Sequence, residues 1–210
     1  MTVTEPARIL RLPRDKHDRP VPWFVAWIEG QPDFRVIRRG GIHDALTGNL
    51  CWICGRPRKP RSVSAFVIGP MCAINRVAPE PPSHPDCAVF AARACPFLAN
   101  PAMRRRETGL PADMVAPGGV SILRNPGVAL VWHTHRWTVE DVGNGLLWFL
   151  GDPERVGWYA HGRDATRAEV LASIESGLPI LRAEAEREGS DALTELEQQT
   201  AAAMGLLPEE

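Results

Sequence analysis

Five cysteines and six histidines are the residues of this 210-residue chain best suited to chemistry. Cys51-Trp52-Ile53-Cys54-Gly55 places two thiols two residues apart, with glycine immediately after. Such a knuckle turns the chain so that both thiolates face one cation, and glycine relieves the backbone where its amides approach sulfur. A closed tetrahedral zinc site needs a second pair. His84-Pro85-Asp86-Cys87 supplies the same spacing at the predicted start of a helix, whose N-terminal amides favour an anionic thiolate. The expected ligand set for Zn2+ is therefore Cys51, Cys54, His84 and Cys87, with Cys72 as the substitute for His84 in an all-cysteine site. Cys95 falls two helical turns beyond Cys87 on nearly the same face and reads as a buried apolar thiol. Two other thiol chemistries fit less well. A redox CxxC usually opens a helix after a strand, whereas here GRPRKPR follows with two prolines in the way. An iron–sulfur cluster needs four thiolates, which the count allows, but the knuckle spacing favours zinc.

A second candidate is His133-Thr134-His135. On a strand, positions i and i+2 share a face, so both imidazoles could reach one metal or substrate. Glu140, Asp141 and His161 are available as further ligands, but no spacing identifies one; the plain alternative is two polar residues on a strand flanked by Trp132 and Trp137. The ββα-metal endonucleases share the frame of a zinc knuckle, yet they need a base histidine on the hairpin. Residues 62–76 contain neither histidine nor carboxylate. There is no GxSxG, Walker loop or GxGxxG.

The binding chemistry is carried by arginine. Arg56, Arg58, Lys59 and Arg61 follow the knuckle directly, and Arg35, Arg38, Arg39 and Arg104 to Arg106 flank it. Guanidinium forks bind phosphate bidentately, and Trp23, Trp27 and Trp52 could add stacking surfaces, although aromatic residues are more often core. The plain alternative for each run is a solvated surface. Nucleic acid is one partner this pattern suits; a protein partner without nucleic acid is the other, and a metal-dependent enzyme using His133 and His135 is the third reading.

The elements that must position these groups follow from periodicity and turn signals. The first 20 residues, with three prolines and no periodicity, form an irregular arm. Residues 23–28 (WFVAWI) and 34–37 (FRVI) predict a hairpin about the Gly/Pro/Asp cluster at 29–33, ended by Gly40 and Gly41. Ser83 is placed to cap a helix that Pro85 opens and Pro96 stops. A knuckle, then a hairpin (residues 62–76), then a ligand pair in the first helical turn is the layout of treble-clef zinc fingers. Beyond the Pro/Gly-rich 111–119, residues 120–123, 128–137, 146–150 and 156–160 predict an antiparallel meander. Thr166 with Glu169 has capping-box spacing; Gly177 is expected to end that helix, Pro179 to open the next, and Ser190 to cap the last. The class is α+β: a small treble-clef-like zinc module, an antiparallel β meander and C-terminal helices. The expected divisions are an arm (1–20), a basic Cys-rich module (21–110) and an acidic meander-plus-helix section (111–210), the last two able to pack as one domain.

Several of these segments resemble an uncharacterised family of bacterial and phage proteins. The likeness rests on LCWICG at 50–55, AFVIGPMCAINR at 65–76, EPPSHPDCAVFAARACPFL at 80–98 and GRDATRAEVLASIESGLPILR at 162–182. It covers about two-thirds of the chain and implies a zinc-binding core, with no activity attached.

Charge sharpens the division. Residues 1–106 hold 17 basic and 8 acidic side chains, a net +9, and residues 107–210 hold 7 and 17, a net −10. A basic half suits a polyanion, or the two halves dock on each other. No run of about 18 apolar residues exists to span a membrane, and the first residues lack the apolar core of a secretory signal. A cytoplasmic, reducing location is expected, in which thiols stay free or bind metal; the odd number of cysteines fits.

Overall fold

The computed structural model describes residues 3–100, 103, 104, 106, 108–111, 118, 119 and 125–209. The predicted strand at 120–123 lies outside the described residues. The fold is α+β, with antiparallel sheets followed by C-terminal helices.

The hairpin forms as β1 (Val25–Ile28) and β2 (Gln31–Ile37). Its turn is tighter than the 29–33 cluster suggested. Ile28 pairs with Gln31, and Glu29 and Gly30 both have positive φ, 49° and 76°, the geometry of a type I′ turn whose twist matches the strands. Gly40 and Gly41 then lead into a short helix, α1 (Gly41–Thr47), that periodicity did not reveal.

The centre of the molecule is a four-stranded sheet of β3 (Ser64–Ile68), β5 (Ala129–Thr134), β8 (Arg155–Ala160) and β9 (Arg163–Asp164), in that order. The hairpin expected over residues 62–76 does not form: β3, from the basic half, pairs along its whole length with β5 from the acidic half, Ser64 opposite Thr134 and Ile68 opposite Leu130, and a short helix follows it. Every residue of β5 is buried, so both faces are covered and the strand reads as an apolar run. One face carries Ala129 and Val131 against Ala88 and Ala92 of α3 (Pro85–Ala94). The other carries Leu130 and Trp132, with Phe66, Trp158 and Trp148, against α4 (Arg167–Glu188) and α5 (Ser190–Met204).

The predicted strand 128–137 is two strands. β5 ends at Thr134, and β6 (Trp137–Asp141) joins a second sheet with β7 (Leu146–Leu150) and β4 (Val77–Ala78). Thr134 makes the break: its Oγ1 accepts from Arg136 N at 3.1 Å and reaches Asp152 O at 2.9 Å, pinning the chain as it changes sheets.

The C-terminal helices also depart from expectation. The capping box at Thr166 and Glu169 is present in both halves. Gly177 and Pro179, however, lie inside one continuous α4 of 22 residues. Proline forfeits one ladder bond, but Pro179 is on the exposed side, and packing on both flanks holds the helix. Gly177 serves contact rather than termination: a Cβ there would lie 2.7 Å from Met71 Sδ on α2 (Pro70–Ile74). Ser190 is the first residue of α5 and Gly189 its N-cap. Among the described residues, no helix is long and apolar enough to cross a membrane.

Candidate metal centre

Both halves of the centre are built by local backbone chemistry. In the knuckle, Gly55 N donates to Cys51 O at 2.8 Å and Cys51 N to Arg56 O at 2.8 Å, so the chain doubles back immediately after Cys54. Gly55 is required twice over. Its φ is +68°, and a Cβ would stand 2.3 Å from Trp23 Cδ1. The second half is the start of α3. Its N-cap is His84, not Ser83, because Ser83 is engaged in a two-bond bridge with Ala65 (2.8 and 3.0 Å). Pro85 occupies the first turn, where its missing N–H costs nothing, and Cys87 follows in the same turn. Trp52 N donates to Pro82 O at 3.2 Å, which ties the knuckle to the strand end before the helix.

The result is a cluster in which one ligand atom from each of Cys51, Cys54, His84 and Cys87 lies within 4.8 Å of the others. Among the described residues it is the group of three or more such side chains able to hold a metal ion. Tetrahedral bonds of about 2.3 Å to sulfur and 2.0 Å to nitrogen put S and N about 3.5 Å apart. Cys54 Sγ and His84 Nδ1 are 3.4 Å apart. The donor set and spacing therefore fit a four-coordinate ion of the zinc type. Cys51 Sγ also accepts from two backbone amides, Cys54 N at 3.5 Å and His84 N at 3.3 Å, which stabilises a thiolate and orients it.

Electrostatics within the cluster point the same way. Burial pushes the Cys51 thiol up, but hydrogen bonds from Cys54, Cys87 and His84 outweigh it and hold Cys51 well below the usual thiol range. Cys87 moves the other way, raised first by its hydrogen bonds to Cys51 and Cys54 and then by burial. His84 is raised to about 9, chiefly by hydrogen bonds to Cys51 and Cys54. Without a metal, His84 and Cys87 hydrogen-bond with Cys51 and keep their protons. A divalent cation would displace those protons, since only deprotonated ligands bind.

The centre is sealed by residues from three directions. Cys51, Cys54 and Cys87 form a small core with Ile53, Phe90 and Ile9, and Ile9 is completely buried. The irregular N-terminal arm thus covers the cluster, and Arg8 pairs with Asp86 at 2.7 Å beside it. The three cysteines are buried and His84 is half-buried, and four protein donors with no open position match the pattern of a structural metal site.

The remaining candidates are dispersed. Cys72 sits in α2, packed half-buried against the larger core, and desolvation raises its thiol to about 11; it is not in the cluster. Cys95 is the half-buried C-cap residue of α3. His133 is buried on β5, its Nδ1 has no partner among the described residues, and burial, reinforced by Arg155, lowers it to about 4. His135 is exposed and pairs with Glu154 at 2.8 Å. Among the described residues, no cluster of three or more metal-ligating groups includes His133 or His135. Trp52 is core, stacked on Phe24 at 4.9 Å, while Trp27 is exposed. Of the basic loop, Arg56, Lys59 and Arg61 are exposed, whereas Arg58 is buried and donates to Ser64 Oγ at 2.6 Å and Asn49 Oδ1 at 2.5 Å. Arg58 also feels the Cys51 charge, which opposes the desolvation that lowers its own pKa. Arg35 and Arg38 are engaged with Asp33 and Asp44 at 2.6 and 2.9 Å.

The fold and site together define a mixed α+β protein with a buried Cys3His cluster able to hold a metal ion. No protein-family model, curated protein or solved structure matches the chain.

Proposed function

We propose that this chain is a zinc-stabilised binding protein of the treble-clef type, which contacts nucleic acid through the arginine-rich loop beside its metal centre. The observation that supports this most is positional. The segment that closes the Cys51–Cys54 knuckle is the same segment that displays Arg56, Lys59 and Arg61, all exposed and none with a carboxylate in ion-pairing distance among the described residues. Metal binding would fix the loop's backbone, and fixed cations lose less entropy on meeting a phosphate backbone. Three thiolates and a neutral imidazole around Zn2+ carry a net charge of about −1, which the buried Arg58 is placed to balance. That division of labour leaves the other three cations of the loop for a ligand. A cytoplasmic setting and membership of the bacterial and phage family belong to the same reading.

The test is binding of a labelled duplex and its separated strands to zinc-loaded protein over a range of salt. Affinity should fall steeply as salt rises, and the triple change Arg56→Glu, Lys59→Glu, Arg61→Glu should abolish binding while zinc content stays constant. No binding at low salt would remove the reading. A second reading, a protein-docking module, is favoured by the exposed apolar side chains Trp27, Ile28 and Phe34 on the β1–β2 hairpin. It predicts a protein partner retained at moderate salt, resistant to nuclease and lost on Trp27→Ala.

A further inference from the structure

A cleft of about 630 Å³ opens between the basic loop and the β6–β7 sheet, a size in the range of ligand sites. The side formed by the basic loop carries Arg58, Lys59 and Arg61, and no Asp or Glu lines the cleft among the described residues. The side formed by β6 and β7 carries Arg136, Trp137 and Phe149; the two rings take opposite faces of that strand pair, since Trp137 is opposite Leu150 and Thr138 opposite Phe149. Phe149 projects from the outer face of β7 opposite Thr138 and is 36% exposed, so part of its ring is open to a ligand. Trp137 is half-buried and fixed by its Nε1 donating to Ser64 Oγ at 3.1 Å. Arg58 lies over the Trp137 ring at 5.8 Å, which joins the two sides. Its Nε is buried and has no hydrogen-bond partner among the described residues. Among the described residues, the acidic contact to these cations is Asp152, 3.8 Å from Arg136.

Cations along one side and an open ring along the other suit a ligand with phosphate and a free π-face on the same unit. In a duplex the bases are stacked and cannot meet Phe149, whereas a single strand offers both. We propose that this cleft binds single-stranded polynucleotide, with the backbone against Lys59, Arg61 and Arg136 and a base stacked on Phe149. The inference rests on the nucleic-acid reading above and narrows it to one site and one form of ligand. It also assigns a ligand role to the β6–β7 sheet, which lies far along the chain from the knuckle.

The experiment is fluorescence anisotropy of the full, zinc-loaded chain with a labelled 15-nucleotide DNA strand, the same sequence as RNA, and the DNA duplex. Both single strands should bind more tightly than the duplex, and the DNA and RNA arms show which sugar is preferred. Three phosphate contacts give a slope of log K against log salt of about −2 for a single strand, and Arg61→Glu should reduce it by about 0.7 or more. Phe149→Ala should weaken single-strand binding by about five- to a hundredfold and leave the salt slope unchanged. Thr138→Glu, which places a carboxylate beside Phe149 on an exposed position, is the second variant should Phe149→Ala unfold the sheet, and it should also abolish binding. Arg182→Glu, exposed on α4, should have no effect. If duplex and single strand bind alike, or if Phe149→Ala and Thr138→Glu change nothing while Arg61→Glu weakens both ligands, the cleft inference is wrong and the nucleic-acid reading stands. If neither strand nor duplex binds at low salt, both fall.

Discussion

Gly55 and Gly30 form a natural pair for testing how the knuckle is held. Both have positive φ, +68° and +76°, so alanine at either incurs the left-handed penalty, about 1–2 kcal/mol. They differ in surroundings. Among the described residues nothing lies within 4 Å of a Cβ built on Gly30, whereas one built on Gly55 meets Trp23 Cδ1 at 2.3 Å and Cγ at 2.4 Å. The Trp23 ring is held in turn, 6.3 Å edge-on to Trp52 and beneath Arg38 at 4.5 Å, so it cannot yield without disturbing the core under the knuckle. Overpacking of that kind costs a further ~1–3 kcal/mol. Gly55→Ala should therefore lose about 2–5 kcal/mol in all and Gly30→Ala about 1–2. Urea unfolding of the two variants at saturating zinc, followed by tryptophan fluorescence, measures the difference in midpoint at a common slope. Equal losses at the two positions would refute the argument, because then Trp23 does not constrain the knuckle.

Two further predictions concern acid stability and the long helix. His133 is 2% exposed and held down to about 4 by burial and then Arg155, against about 6.5 in an unfolded chain. The folded state therefore binds fewer protons between those values, so the contribution is full above pH 6.5 and is lost as pH falls toward 4, on the order of 3 kcal/mol. His133→Leu should flatten the acid limb relative to the parent over that window, and parallel curves would contradict the burial argument. At α4, Thr166→Ala should cost about 1 kcal/mol in urea unfolding. Glu169 is held at about 2, first by Arg163 and then by the Thr166 amide, so its share is present above the ordinary carboxylate value and fades as pH falls toward 2. The gap between parent and Glu169→Gln should close over that range, and a gap independent of pH would show that the carboxylate charge is not what stabilises the cap.

What was legible in the sequence was local. CxxCG and HPDC each carry their own turn or helix start, so the four ligands and the opening of α3 follow from a few neighbouring residues. The capping box and the β1–β2 hairpin are of the same kind. What was hidden depends on partners distant in the chain. The pairing of β3 with β5, which unites the basic and acidic halves in one sheet, leaves no periodic trace, since both strands read as apolar runs. The break at His135 and Arg136 is made by Thr134 reaching Asp152, a contact invisible in a run such as ALVWHTHRW. Gly177 and Pro179 signal termination by propensity, yet α2 and the sheet hold α4 through both. The buried state of Arg58 was equally unreadable, because its partners Asn49 and Ser64 look like ordinary loop residues. The arm over the cluster could have been suspected from Ile9 and Leu12, apolar residues in an otherwise charged segment.

If Cys51, Cys54, His84 and Cys87 hold one structural zinc ion, metal analysis of the purified chain beside Cys51→Ser, Cys87→Ser, His84→Ala and Cys72→Ser will show it. The parent and Cys72→Ser should each carry one equivalent of zinc, with loss of metal and of cooperative unfolding in the two cluster cysteine variants and weakened zinc retention in His84→Ala. Stoichiometric iron, no metal in the parent, or zinc lost with Cys72 and kept without His84 would contradict it.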